Sequence, residues 1–298
     1  MKRPSFRTAW AAEKPLVTPL AHDALTARLI KRAGFKAFNV GGSTLLAARY
    51  GLPDVGLIGL RDMIDGMREL AAATDLPFMA DADDGYGDVK AVAKTVIEYE
   101  AIGVGGMLIE DQLRDVKRQR AEKSLAVADD AVIEAKLRVA LQTRTSRETV
   151  IIGRTDAYGA VGLDEALRRA ERFLALGVDG VFVAGLRKVE ELERVGRTLR
   201  GATLLAAMFE GMDTPWLTPA ELGAMGFAQI SYPTSLILRV VGAVEKALGD
   251  LRAFSRGERD MERLTGAAEI RASLDGAVEL ARWMDIETGF TPQGRSGE

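Results

Sequence analysis

Apolar residues in this chain come in short continuous runs, and between the runs they recur every three or four positions. Eight runs have strand character: 16 to 19, 37 to 41, 77 to 82, 106 to 110, 149 to 154, 180 to 184, 203 to 208 and 228 to 232. They are unbroken rather than alternating, as parallel strands buried on both faces require. The stretches between them read as helices. From Leu163 to Leu176 the residues Leu163, Ala166, Leu167, Ala170, Phe173 and Leu174 share one face, and Glu165 stands four positions before Arg169. Thr218-Pro219-Ala220-Glu221 combines an N-cap, a first-turn proline and a capping-box glutamate. Glycines 34, 103, 177 and 226 each separate a helix-like stretch from an apolar run, the place where a left-handed residue closes a helix. Eight strands alternating with helices over 298 residues predict a (β/α)8 TIM barrel. A doubly wound open sheet has the same alternation and stays as the second architecture, because counting strands does not establish closure.

The barrel is expected over about 15–247 of a single-domain chain, with a C-terminal helical extension over about 248–290. Helix-like patterns cover 234–247 and 266–285. The second is amphipathic, and its Trp283 and Met284 need a surface to cover, which predicts packing on another subunit. The tail 291–298 is rich in Gly, Pro and polar residues and is expected to be disordered.

Lys plus Arg number 40 against 43 Asp plus Glu, a net charge of -3, which argues against a general nucleic-acid binder and for small-molecule partners. The chain has no cysteine, so disulfides, thiolate metal sites and cysteine nucleophiles are excluded. Its single histidine, His22, rules out multi-histidine metal sites. His22 comes after the first strand at the catalytic end of a barrel, where a structural role is favoured over a catalytic one. The opening Lys2-Arg3 resembles a signal-peptide start, but Arg7, Glu13, Lys14 and Pro15 break up the next segment before a long apolar stretch can form. No run approaches the ~18 apolar residues of a membrane span. The expectation is a cytoplasmic protein without membrane contact.

Carboxylates stand where apolar runs end. Asp54 closes Tyr-Gly-Leu-Pro-Asp, Asp81 and Asp83 come after Phe-Met-Ala, and Glu110 after Gly-Met-Leu-Ile. Two carboxylates about 4 Å apart repel by roughly 4 kcal/mol at an effective dielectric of about 20, so gathering them asks for a cation. Oxygen-only donors favour Mg2+, Mn2+ or Ca2+. Backbone amides around Gly41, Gly42 and Ser43 suit an anion nest, and Arg154 suits a bidentate grip on a carboxylate. Together they fit a small anionic 2-oxo or 2-hydroxy carboxylate. Plainer readings exist for each part: Asp-Ala-Asp as a solvated loop, Asp54 as a turn cap, and Arg154 as the neutraliser of Asp156. The basic run Arg114, Lys117, Arg118, Arg120 and Lys123 is either a solvated surface or a lid over an anionic substrate.

Leu52-Pro53-Asp54, Ala80-Asp81-Ala82-Asp83-Asp84-Gly85-Tyr86-Gly87, Ile109-Glu110-Asp111-Gln112 and Gly153-Arg154-Thr155-Asp156-Ala157 resemble, in order, the motifs of the isocitrate lyase/phosphoenolpyruvate mutase superfamily. The resemblance runs from about Pro19 to Pro233. It implies an Mg2+-dependent (or Mn2+-dependent) barrel enzyme acting through a metal-stabilised enolate. It also implies a homotetramer, a dimer of dimers, with C-terminal helices exchanged between subunits. By the same resemblance Asp54, Asp81, Asp83 and Glu110 form the metal shell, partly through water. Gly42, Ser43, Arg154 and Asp81 meet the substrate, and Asp54, Glu110 and Arg154 are the catalytic set.

Departures from the pattern narrow the activity. Gln119 stands at or near the position of the cysteine that protonates the leaving fragment in the lyases, and an amide is no general acid at neutral pH. Ala184 and Ala207 replace the glutamate and asparagine expected there. These changes argue against isocitrate-type or methylisocitrate-type cleavage. They favour a carbon-carbon lyase of another kind, foremost an oxaloacetate-like decarboxylase, whose carbon dioxide product needs no proton. A phosphorus-carbon bond enzyme of the phosphonopyruvate or carboxyphosphonoenolpyruvate type and a catalytically inactive binding protein are the alternatives.

Overall fold

A computed structural model describes residues 3–114 and 126–290. The tail 291–298 and the basic stretch holding Lys117, Arg118, Gln119, Arg120 and Lys123 lie outside the described residues. In chain order the elements are α1 (Phe6–Ala12), β1 (Leu16–Pro19), α2 (Ala24–Arg32), β2 (Phe38–Val40), α3 (Gly42–Tyr50), α4 (Leu60–Ala73), β3 (Phe78–Asp81), α5 (Val89–Ala101) and β4 (Gly106–Glu110). Next come α6 (Asp130–Thr143), β5 (Val150–Thr155), α7 (Ala157–Ala160), α8 (Leu163–Leu176), β6 (Gly180–Val183), α9 (Val189–Thr198), β7 (Leu204–Ala207), α10 (Pro219–Ala224), β8 (Phe227–Tyr232) and α11 (Ser235–Ser255). Each of the eight strand runs read from the sequence is a strand within a residue or two. Gly34, Gly103, Gly177 and Gly226 all have φ between 80° and 100°, the left-handed geometry that ends a helix without a Cβ clash.

All strand pairs are parallel, in the order β1-β8-β7-β6-β5-β4-β3-β2. The two ends of that order meet: Leu20 bridges Asn39, and the Ala21 amide donates to the Asn39 carbonyl at 3.0 Å. The sheet is therefore a closing (β/α)8 barrel, and the doubly wound alternative, which leaves two free edges, is excluded.

Closure is completed by side chains. Asn39, Thr18, Gln229 and Ser231, on β2, β1 and β8, are buried. Asn39 Nδ2 donates to Ser231 Oγ at 2.8 Å, Gln229 Nε2 to Asn39 Oδ1 and Thr18 Oγ1 at 3.2 Å, and Thr18 and Ser231 share a bond of 3.1 Å. Trp10 Nε1, from α1, donates to Gln229 Oε1 at 2.9 Å. Beside it Phe6 and Ala9 pack on Leu16, Ala37, Met79, Val150, Ile152 and Leu205, which fill the inside of the barrel. The larger core lies between the strands and the outer helices and includes Phe38, Met67, Phe78, Tyr99 and Phe173.

The chain divides into two compact units, Met1–Arg239 and Val240–Glu298. The division falls inside α11. In the second unit the single helix expected over 266–285 is instead two, α12 (Ala267–Ala277) and α13 (Leu280–Phe290). The break sits at Val278 and Glu279, where Glu279 takes a left-handed φ of 56° that interrupts helical bonding. Among the described residues no helix is long and apolar enough to cross a membrane.

Because Gln229 serves Trp10, Thr18 and Asn39 at once, Gln229→Ala leaves buried polar groups short of a partner, each at a cost of about 1–3 kcal/mol. The variant is expected to melt several degrees below the parent in scanning calorimetry. An unchanged Tm would show that the seam does not hold the barrel shut.

Candidate functional site

Asp81 ends β3, Glu110 ends β4 and Arg154 stands one residue before the end of β5, so parallel register brings all three to one mouth of the barrel. Glu110 pairs directly with Arg154 across the sheet. One carboxylate oxygen each of Asp81, Asp83 and Glu110 lies within 4.8 Å of the others. Asp83 and Glu110 are 3% and 2% exposed. Arg154 Nη1 reaches Glu110 Oε2 at 2.8 Å and Asp81 Oδ2 at 3.6 Å. Three buried or half-buried carboxylates against one guanidinium edge form an oxygen-only donor set with excess negative charge, which can hold a divalent cation.

The loop that presents Asp83 has a demanding backbone. Asp83 and Tyr86 take φ of 45° and 62°, a conformation costing roughly 1–2 kcal/mol per residue with a Cβ. Neighbouring groups hold it in place. The Asp83 amide donates to Asp81 Oδ1 at 3.0 Å, the Glu110 amide to the Asp83 carbonyl at 2.8 Å, and Tyr99 Oη to the Asp81 carbonyl at 2.9 Å. Tyr86 and Tyr99 share a hydroxyl bond of 3.1 Å, and burial pushes both phenols well above their ordinary range, so they remain neutral. Lys136 of α6 donates to the Asp84 carbonyl and carboxylate.

Arg154 is aimed from behind. Asp156 takes its Nε and Nη2 at 2.9 and 3.0 Å, leaving Nη1 for the mouth. Burial alone would lower the guanidinium, but Asp156, then Glu110 and Asp81, push it well above its ordinary value and keep it charged. Asp156 is placed in turn by Asp111, which accepts the Asp156 amide at 2.8 Å and the Thr155 hydroxyl at 2.7 Å. Asp111 is 1% exposed, and burial raises its pKa against the pull of those bonds. Arg169 Nη1 meets it at 3.1 Å, while Arg169 Nε is held by Glu165 at 2.7 Å. The pair read from helical spacing is thus the outer end of a relay that reaches the site.

Gly42 and Ser43 open α3 at the same end of the barrel, after Gly41, whose N-cap has no side-chain bond. A Cβ on Gly41 would come within 2.9 Å of Leu20 Cδ2, so a side chain here would make the end of Leu20 shift. Asp54 lies in the loop between α3 and α4 and is not one of the three converging carboxylates. Arg114 ties that loop to the site, donating to the Gly56 carbonyl at 3.1 Å with its guanidinium 5.3 Å from the Tyr86 ring centroid. His22 is buried, its Nε2 3.1 Å from Thr26 Oγ1, and burial lowers its pKa. Ala184 comes directly after β6 and Ala207 ends β7, on the side of the barrel away from the carboxylates. Sequence reading had no role for Asp111, Lys136 or Tyr99, and it cast Asp156 as a rival use of Arg154 rather than its support. For Lys136 the available signal was a lysine on the apolar stripe of its helix.

A sequence model of the family described as phosphoenolpyruvate phosphomutase matches residues 6–252. The 2,3-dimethylmalate lyase of Eubacterium barkeri is 37% identical over 246 residues, 83% of this chain and 83% of that protein. An oxaloacetate decarboxylase of Bradyrhizobium sp. is 30% identical over 287 residues, 96% of each chain. Oxaloacetate acetylhydrolase, solved in complex with the inhibitor 3,3-difluorooxalacetate, superposes with a TM-score of 0.86 at 27% identity, over 98% of this chain and 97% of that one.

Hydrogen bonds from Arg168 and then Arg169 lower the Glu165 pKa from 4.5 to about 2. A depressed carboxylate stabilises the fold above its unfolded pKa, and that contribution fades as pH falls through the folded one. Glu165→Gln should therefore be less stable than the parent near neutrality, with the gap narrowing from about pH 4.5 towards pH 2, read by urea unfolding across that range. A gap independent of pH would contradict this role for the Glu165 charge.

Proposed function

The chain belongs to the phosphoenolpyruvate mutase/isocitrate lyase superfamily, and on that footing we propose that it is a metal-dependent lyase whose substrate is a small 2-oxo or 2-hydroxy dicarboxylate, cleaved next to the oxygenated carbon. The observation that carries the reading is the convergence of Asp81, Asp83 and Glu110 beside Arg154 at the barrel mouth. Asp81, Asp83 and Glu110 hold the cation, Mg2+ or Mn2+ by the chemistry of their oxygens, and Asp54 joins through water from its loop. When bound, the ion acts as a Lewis acid that stabilises negative charge developing on the substrate oxygens.

The chain's own groups do the rest. The Arg154 guanidinium, pinned by Asp156, directs Nη1 to the mouth, where a substrate carboxylate would share it with Glu110. The amides of Gly42 and Ser43, at a helix N-terminus with no side-chain cap, receive a second anionic group. Ala184 and Ala207 offer no acid or amide to bind the departing fragment, which suits release of a small fragment that needs no such contacts. Oxaloacetate and 2,3-dimethylmalate, named by the relatives, are the first compounds to test. The net charge of -3 keeps nucleic acid out of the proposal, and the compartment proposed is the cytoplasm.

The assembly proposed is a homotetramer with exchanged C-terminal helices. Leu248, Phe254 and Trp283 are 59%, 51% and 59% exposed in the single chain, which is costly for side chains of this size unless a partner covers them. Sedimentation velocity should give a tetramer, and a monomer would contradict this.

Oxalate, an enolate mimic, at about one hundred times its Kd should stabilise the protein by about 2.7 kcal/mol, a shift of a few degrees, with Mg2+ and not with EDTA. Asp81→Ala should abolish both that shift and turnover of the two acids while the fold persists. Retained turnover in Asp81→Ala would overturn the metal-dependent reading.

A further inference from the structure

Lys136 stands on the buried stripe of α6 with Ile133, Leu137 and Ala140, where packing favours an apolar side chain. The residue is 8% exposed, and an ammonium so placed requires a partner. Its Nζ donates to the Asp84 carbonyl at 2.8 Å and to Asp84 Oδ2 at 2.9 Å. The other carboxylate oxygen, Asp84 Oδ1, accepts the Tyr86 amide at 3.0 Å. One ammonium therefore fixes the residue next to Asp83 and, through the carboxylate, the amide of Tyr86. Asp83 and Tyr86 are the two in left-handed conformation, and with that backbone the Asp83 carboxylate meets Asp81 and Glu110.

We propose that Lys136 is a positioning residue for the cation site: by clamping Asp84 through both carbonyl and carboxylate, it holds Asp83 in the conformation that completes the carboxylate trio. This rests on reading the trio as a metal site. It differs from simple charge neutralisation of Asp84, which would contribute to stability and leave ion affinity alone.

The test is titration of the full-length protein with Mn2+ alone, free ion being monitored by electron paramagnetic resonance, with no substrate present. Lys136→Met should weaken Mn2+ binding by about ten-fold or more, the usual effect of removing a group that orients a metal ligand. Lys136→Arg, which keeps the charge and donors, should recover most of the affinity. Arg138→Met, on the exposed side of the same helix, should bind as the parent does. A folded Lys136→Met with the parental Kd would overturn the clamp, even if its Tm fell. Should that variant fail to fold, Asp84→Ala decides, since a parental Kd there overturns the clamp equally. A parent protein that takes up no Mn2+ would overturn the metal reading and the clamp together.

Discussion

Mutual repulsion among carboxylates is the constraint around which this barrel mouth is organised. Asp81, Asp83, Glu110 and Asp156 are brought together by strand ends and their adjoining loops, and Arg154 is the cation that stands among them. Buried like charges are tolerated only where opposite charge and oriented donors offset them. The guanidinium therefore has two duties, offsetting the acids and keeping one nitrogen toward the mouth. It can do both because Asp156 fixes two of its donors. Behind Asp156 the support passes through Asp111 and Arg169 to Glu165, so that a half-buried residue in the first turn of α8 bears on the orientation of a buried side chain.

The first and last strands are joined by groups different from those that form the acidic mouth. Inside the barrel, apolar side chains from alternate strands pack beneath Phe6 and Ala9 of α1, and a neutral polar seam of Thr18, Asn39, Gln229 and Ser231 joins the first and last strands. Neutral hydrogen bonds suit that task because they can be satisfied within the barrel without a counterion. Asp81, Asp83, Glu110 and Arg154 stand at the strand C-terminal ends, where loops can vary while the barrel stays the same, and at the opposite end Asp179 pairs with Arg7 and Arg144. Ala184, directly after β6, and Ala207, at the end of β7, are on other strands than the acidic trio, which comes from β3, the loop after it and β4. Family membership accounts for the scaffold, and function on such a scaffold is set by the residues of the site.

The strands, the glycine-closed helices and the capping box at Thr218 were legible in the sequence because each is set by neighbours a few residues apart. So were the carboxylates of the trio and Arg154, since parallel strands ending in polar residues must deliver them to one rim. Barrel closure was not, because it depends on Leu20 meeting Asn39 and on a seam between β1 and β8, at opposite ends of the barrel sequence. The break of the C-terminal helix at Glu279 was missed for another reason: the apolar pattern continues across a left-handed turn that periodicity does not register.

By itself, then, the amino-acid sequence determined the repeated strand and helix unit, the absence of thiol and multi-histidine chemistry, and an acidic oxygen-donor site with one arginine beside it. Only the tertiary structure decided that Asp83 and Glu110 lie buried close to Asp81, that Asp156 supports Arg154, and that Lys136 and Tyr99 bond to the segment from Asp81 to Asp84. The physical reason is range. Propensity, capping and periodicity act over a turn of helix or the length of a strand, whereas the orientation of a charged side chain is set by whichever distant residue folding places against it.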